Sequence, residues 1–202
     1  ARYRMKLLAA TTNRGKIVEI AEILSGLGVT VVTPEEIDLH IDVKEDGATF
    51  AENALIKARA WSEAAGMPAL ADDSGLCVDA LDGRPGVMSA RFSGPDATDE
   101  KNIELLLRSL QSKTQRTARF VCAVALAWQT GEVILAEGRY EGIIIDEPRG
   151  RGGFGYDPVF LDPELNKTLA QMSPGEKNAR SHRRKALDAL KTRLQESGLL
   201  HD

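Results

Sequence analysis

The chain has 202 residues, of which 43% are hydrophobic and 28% charged, the balance of a globular domain large enough to bury a substantial core. Its formal net charge of -4 argues against general nucleic-acid binding, which calls for a basic excess, and no apolar run approaches the ~18 residues of a membrane span. Cys77 and Cys122 stand far apart outside any metal or redox motif, and the opening Ala1-Arg2-Tyr3-Arg4-Met5 lacks a secretory apolar core, so the expected compartment is the reducing cytoplasm.

Lys6-Leu7-Leu8-Ala9-Ala10 is predicted to be a short buried strand, followed by the polar turn Thr11-Thr12-Asn13-Arg14-Gly15-Lys16. A helix then carries Ile17, Ile20, Ala21 and Leu24 at helical spacing and stops at Gly26. Thr49 and Glu52 form a capping-box signature for a second helix, with Ala51, Leu55 and Ala58 inward, ended by Gly66 and Pro68. Ala69 to Ala71 reads as a brief strand entering Asp72-Asp73-Ser74-Gly75. Thr98 caps a third helix with the stripe Ile103, Leu106, Leu107 and Leu110. Strands are expected over 119–128, 133–137 and 142–146, the first two joined as a hairpin across Gln129-Thr130-Gly131, and again over 158–161. Ser173, Pro174 and Glu176 open the last helix as cap, first-turn proline and box partner. No repeat or linker divides the chain, so 1–202 is expected to be a single domain, with at most two lobes, of mixed α/β class.

Four polar clusters bear on chemistry. In Gly152-Gly153-Phe154-Gly155-Tyr156-Asp157-Pro158, glycines leave backbone amides accessible, Phe154 and Tyr156 offer stacking faces, and Asp157 can accept from ring N–H groups, a combination suited to a nucleobase. A structural aromatic turn fits the same residues. The segment from Thr11 to Lys16 sits between strand and helix, where free amides and the helix dipole attract phosphate, with Asn13 and Lys16 adding a donor and a cation. It is not a P-loop, since Ile17 stands where a magnesium-binding hydroxyl belongs, and a plain turn with solvated Arg14 and Lys16 is the alternative. Glu45-Asp46 and Asp72-Asp73 supply hard oxygens of the kind magnesium takes one or two at a time. Adjacent residues on an extended segment face opposite ways, so only one of Asp72 and Asp73 is expected to serve as ligand or base, the other being a scaffold acceptor. Lys177, Arg180, His182, Arg183 and Arg184 form the last cluster. Arg183 lies in line with Leu187, Leu190 and Leu194 while Lys177 points away, so both serve one ligand only if the helix breaks near Ser181. An Arg183 that extends past the core to solvent is the simpler alternative.

These segments, together with Thr49-Phe50-Ala51-Glu52-Asn53-Ala54, Lys57 and Pro85-Gly86-Val87-Met88-Ser89-Ala90-Arg91, resemble the inosine triphosphate pyrophosphatase family over nearly the whole chain. The resemblance implies an α/β, two-lobed fold with a long mixed sheet flanked by helices and a nucleotide cleft between lobes, Mg2+ dependence and a homodimer. The implied reaction is hydrolysis of non-standard purine nucleoside triphosphates to monophosphate and pyrophosphate. By the same resemblance Thr11, Thr12, Asn13, Arg14, Gly15, Lys16 and Lys57 would hold the triphosphate, and Asp73 would be proton acceptor and metal ligand, with Glu45 the second metal carboxylate. Ser74 would contact substrate, Phe154, Gly155, Tyr156 and Asp157 the base and sugar, and Lys177, His182 and Arg183 the base edge. Thr12 stands where many members of that family have glycine, and Tyr156 where some have tryptophan. No role is assigned to Arg84 or Arg91. A pyrophosphatase for modified pyrimidine nucleotides and a non-catalytic nucleotide-binding module are the competing readings.

Overall fold

A computed structural model describes residues 5–200. Its strands are β1 (Met5–Ala9), β2 (Val29–Val32), β3 (Ala69–Val78), β4 (Thr117–Ala127), β5 (Val133–Ile144), β6 (Phe160–Asp162) and β7 (Lys167–Thr168). The helices are α1 (Arg14–Leu24), α2 (Phe50–Ala65), α3 (Asp99–Ser109), α4 (Pro174–Arg180) and α5 (His182–Ser197). The seven strands form one sheet in the order β2-β1-β3-β4-β5-β6-β7. β1 runs parallel to β2 and β3, while β6 runs antiparallel to β5 and β7, so the sheet is mixed.

The chain divides into two compact units, the first from Ala1–Asp73, Cys122–Gly138 and Arg183–Asp202, the second from Ser74–Val121 and Arg139–His182. In the first, strand alternation sorts the core by face. Leu7, Ala9, Leu70, Cys122, Val124 and Leu126 pack with Ile20, Ile23 and Leu24 of α1 and with Leu187, Leu190 and Leu194 of α5. The intervening Ala71, Ala123, Ala125 and Ala127 meet Ala54 and Ala58 of α2. Alanine on both sides lets α2 approach the strands closely, and a larger side chain there would overpack by roughly 1–3 kcal/mol. In the second unit, Leu76, Val78, Leu106, Leu110, Phe120, Tyr140 and Phe160 share a core in which Phe160 lies 4.6 Å from Phe120 and edge-on to Tyr140 at 5.6 Å, ring centre to ring centre.

Several boundaries differ from expectation. β2 was not anticipated. β3 is longer than Ala69 to Ala71 and passes straight through Asp72-Asp73-Ser74, so the acidic pair is inside a strand and not at its end. β5 is one strand, in which Arg139 and Glu141 face out while Tyr140 is buried. Within 158–161 only Phe160 and Leu161 are strand, preceded by a 3-10 turn Asp157–Val159. In α1 the inward residue is Ile23, with Ala21 exposed. The Glu52 carboxylate accepts from Ala48 N at 2.6 Å rather than closing a box onto Thr49, although the Thr49 side chain does cap Glu52 N.

Candidate active site

In the first unit the Thr11 to Lys16 turn is shaped by its own side chains. The Thr11 hydroxyl accepts from Asn13 N at 3.1 Å, and Asn13 Oδ1 caps α1 by accepting from Lys16 N at 3.1 Å. Thr12, Arg14 and Gly15 are exposed at the helix start. Lys16, on the first turn, reaches β3, where Nζ lies 3.2 and 3.0 Å from the two carboxylate oxygens of Asp72.

Alternation along β3 separates the two aspartates as expected. Asp72 shares parity with Leu70 and meets α1, whereas Asp73 shares parity with Ala71 and meets α2, accepting from Asn53 Nδ2 at 3.1 Å. One turn beyond Asn53, Lys57 Nζ lies 2.8 Å from Glu45 Oε1 and donates to the Asp72 carbonyl at 2.7 Å. The two lysines expected to hold phosphate therefore converge on one residue, Lys16 on its carboxylate and Lys57 on its carbonyl. Thr11, Lys16, Ile20, Asp72, Arg183 and Leu187 line a common pocket. Arg183 Nε donates to Glu19 Oε2 at 2.6 Å, so its guanidinium is paired with α1 and does not extend free to solvent.

In the second unit the glycine-rich loop is organised by Asp157, which is 4% exposed. Its carboxylate accepts from Phe154 N at 3.1 Å and from Lys177 Nζ at 2.5 Å. Gly153 has φ 71°, and a Cβ there would collide with the Asp157 carboxylate, so both conformation and space require glycine. Gly155 N donates to Asp99 at 2.9 Å. Phe154 is 72% exposed with Lys177 Nζ 4.5 Å above its ring, an open stacking face flanked by a cation.

Tyr156 corrects the sequence reading. It is 5% exposed, belongs to the second unit's core and donates its hydroxyl to Ser89 O at 2.6 Å, so its ring offers no face to a ligand. Burial, with Asp99 adding, pushes its phenol above the usual tyrosine range.

The anticipated break in the last helix is present: α4 ends at Arg180, Ser181 is extended with ψ 144°, and α5 starts at His182. The break releases Lys177 to the Phe154 loop, and the His182 ring stacks on Phe120 at 5.2 Å. Ser74 follows the acidic pair within β3. Arg84 and Arg91 make local contacts, to Leu81 O and Met88 Sδ. Glu19 and Asp99 escaped the sequence reading, and Asn53 entered it only as part of a motif, with no role; its signal is that of a polar residue one turn from Lys57 in an apolar helix stripe.

Among the described residues no group of three or more histidine, cysteine, aspartate or glutamate side chains is arranged to cage a metal. Asp73 and Glu45 nevertheless contact neighbouring positions, Asn53 and Lys57, on one face of α2, and two hard carboxylates suit an ion that completes its shell with phosphate and water. The donor set therefore fits magnesium.

Comparison with known proteins places the chain. Residues 7–193 match the Ham1 family. A protein of Geobacter sulfurreducens named dITP/XTP pyrophosphatase is 50% identical over 96% of this chain and 98% of its own, and one of the same name from Thermus thermophilus is 51% identical over 92% and 90%. The solved structure of a HAM1 protein from Coxiella burnetii superposes with a TM-score of 0.89 at 42% identity, covering 95% of this chain and 99% of that one. With the match running over nearly its whole length, the chain belongs to the Ham1 family.

Proposed function

We propose that the chain is a nucleoside-triphosphate pyrophosphatase that hydrolyses non-standard purine nucleotides such as ITP, dITP and XTP to the monophosphate and pyrophosphate, clearing them from the nucleotide pool. The observation that carries this reading is the convergence of Lys16 and Lys57 on Asp72, next to the Asp73 carboxylate, in a chain half identical to proteins named dITP/XTP pyrophosphatases. The whole of 1–202 then works as one catalytic domain.

In this reading, the turn from Thr11 to Lys16 and the Lys57 ammonium bind the triphosphate, and the lysines exchange Asp72 and Glu45 for phosphate oxygens. Asp73 accepts the proton of a water whose oxygen attacks the α-phosphorus; the bond to the bridging oxygen breaks, and pyrophosphate leaves with its charge held by Lys16 and Lys57. Asp73 and Glu45 would hold Mg2+, which supplies charge neutralisation on the phosphates. Phe154 stacks on the base. Lys177, His182 and Arg183 supply donors to a 6-oxo group, against which an adenine amino group would leave donors unpaired. Ser74, Gly155 and Asp157 border substrate, Asp157 by holding the loop. We further propose a cytoplasmic homodimer; no helix among the described residues is long and apolar enough to cross a membrane.

The test is pyrophosphate release from ITP, dITP, XTP, ATP, GTP and a modified pyrimidine triphosphate, with and without Mg2+. Turnover of the 6-oxo purines that depends on the metal and exceeds that of ATP supports the reading; a pyrimidine preference overturns its substrate class.

A further inference from the structure

We infer that Asn53 is a positioning residue that ties the strand carrying Asp73 to the loop carrying Glu45, using the two ends of one amide. The inference rests on the reading above, in which these two carboxylates serve the reaction.

Asn53 is 3% exposed, on the second turn of an α2 anchored by its Thr49 cap. Its Nδ2 donates to Asp73 Oδ2 at 3.1 Å and its Oδ1 accepts from Gly47 N at 2.8 Å. The pair of bonds fixes the amide's orientation, because a flipped group would set its oxygen against the carboxylate and its NH2 against the backbone N–H. Gly47 is shaped to this contact. A Cβ there would lie 2.7 Å from Asn53 Oδ1 and 2.8 Å from Glu52 Cβ, so the loop closes on the helix only with a hydrogen at that position. Glu45, two residues earlier, is gripped by Lys57 one turn along the same helix. α2 thus holds the 45–47 loop twice, by backbone through Asn53 and by side chain through Lys57, and with the same asparagine holds Asp73.

Folding alone does not call for this residue. Asparagine is a weak helix former, and a buried amide costs free energy unless both its ends are paired, whereas an aliphatic side chain facing the alanine-lined strands would serve packing without that demand. What the amide adds is a fixed spacing between two carboxylates reached from different segments. Partners that orient catalytic carboxylates in this way typically matter by 10–100-fold.

The experiment compares Asn53→Ala and Gly47→Ala with the parent enzyme. Gly47→Ala leaves Asn53 and Asp73 chemically unchanged but drives the 45–47 loop off the amide, so it stands in should Asn53→Ala fail to fold. For each folded variant, kcat and KM for ITP are measured, and Mn2+ binding in the presence of a non-hydrolysable ITP analogue is followed by electron paramagnetic resonance. The expected result is a fall of about 10–100-fold in kcat with KM changed by no more than about threefold, and a parallel weakening of Mn2+. A folded variant with parental kcat and Mn2+ affinity overturns the inference, as does a loss confined to KM or one that follows the thermal midpoint alone. Asp73→Asn separates the two failures. If that enzyme is inactive while the Asn53 and Gly47 variants are normal, only the positioning role falls; if it keeps its kcat, the underlying reading falls.

Discussion

The ammonium of Lys16 rests on the carboxylate of Asp72, with Nζ 3.2 and 3.0 Å from its two oxygens, in a pair whose side chains are 28% and 16% exposed. The cation is oriented by both oxygens, and the backbone carbonyl of the same aspartate takes Lys57. The aspartate inside β3 thereby sets the spacing of the two ammonium groups.

Removing either lysine should weaken triphosphate binding far more than monophosphate binding. Lys16→Ala and Lys57→Ala are each expected to cost about 1.5–3 kcal/mol towards a non-hydrolysable ITP analogue, the value of a charge-assisted hydrogen bond, with little change towards IMP. Titration calorimetry with both ligands checks this; equal losses would put the lysines away from the β- and γ-phosphates.

The two aromatic residues of the glycine-rich loop should separate cleanly. Phe154→Ala should lower affinity for the nucleotide by about 1–3 kcal/mol, the usual worth of a base stacked on an aromatic ring, without touching stability. Tyr156→Phe should do the reverse. It removes the buried hydroxyl from Ser89 O, which still accepts a long 3.4 Å bond from Asn102, and so should cost about 1 kcal/mol of stability while nucleotide affinity holds. Denaturant unfolding and ligand titration on the two variants decide it.

α4 buries none of its residues and is held by ion pairs instead: Lys167 with Glu176, Lys177 with Asp157, and Arg180 with both Asp162 and Glu164. Burial opposes ionisation of Asp162, but donors from Tyr140, from the backbone of Glu164 and Leu165, and the Arg180 charge outweigh it and hold the carboxyl below its ordinary range. Added salt and Arg180→Ala should each speed amide exchange in α4 ahead of the β4 core. Exchange in α4 that ignores salt would show that the pairs are not what holds it.

On the second unit, Arg119 grips Asp79 with two nitrogens at 2.9 and 3.0 Å, and Thr117 adds a third donor at 2.5 Å. These bonds, Arg119 foremost, lower the Asp79 carboxyl to about 2. Because the folded value lies below the unfolded one, the stabilisation is present above about pH 4 and is lost as pH falls towards 2. The pair is partly solvated, so Asp79→Asn should cost on the order of 1 kcal/mol at pH 7 and progressively less in acid. Unfolding midpoints of parent and variant at pH 7 and pH 3 check the convergence.

Much of this was legible in the residues themselves. Caps at Thr49, Thr98 and Ser173 mark helix starts by local chemistry, and the conflict in helical phase between Lys177 and Arg183 located the break at Ser181. Illegible parts depended on partners distant in the chain. Asp72-Asp73-Ser74-Gly75 looks like a turn until lysines from α1 and α2 neutralise it within β3. Tyr156 looks like a ligand platform until Ser89, far along the chain, takes its hydroxyl. Arg183 finds Glu19, a residue that α1 alone would leave as ordinary surface charge.

In the proposed reaction, Asp73 and the two lysines direct water to the α-phosphorus of a 6-oxo purine triphosphate. Turnover of ITP with Mg2+ in oxygen-18 water, read by phosphorus NMR, tests it most directly. One heavy oxygen in IMP and none in pyrophosphate is the expected outcome, with ATP consumed far more slowly. Label in pyrophosphate, or IDP and labelled inorganic phosphate as products, would contradict it.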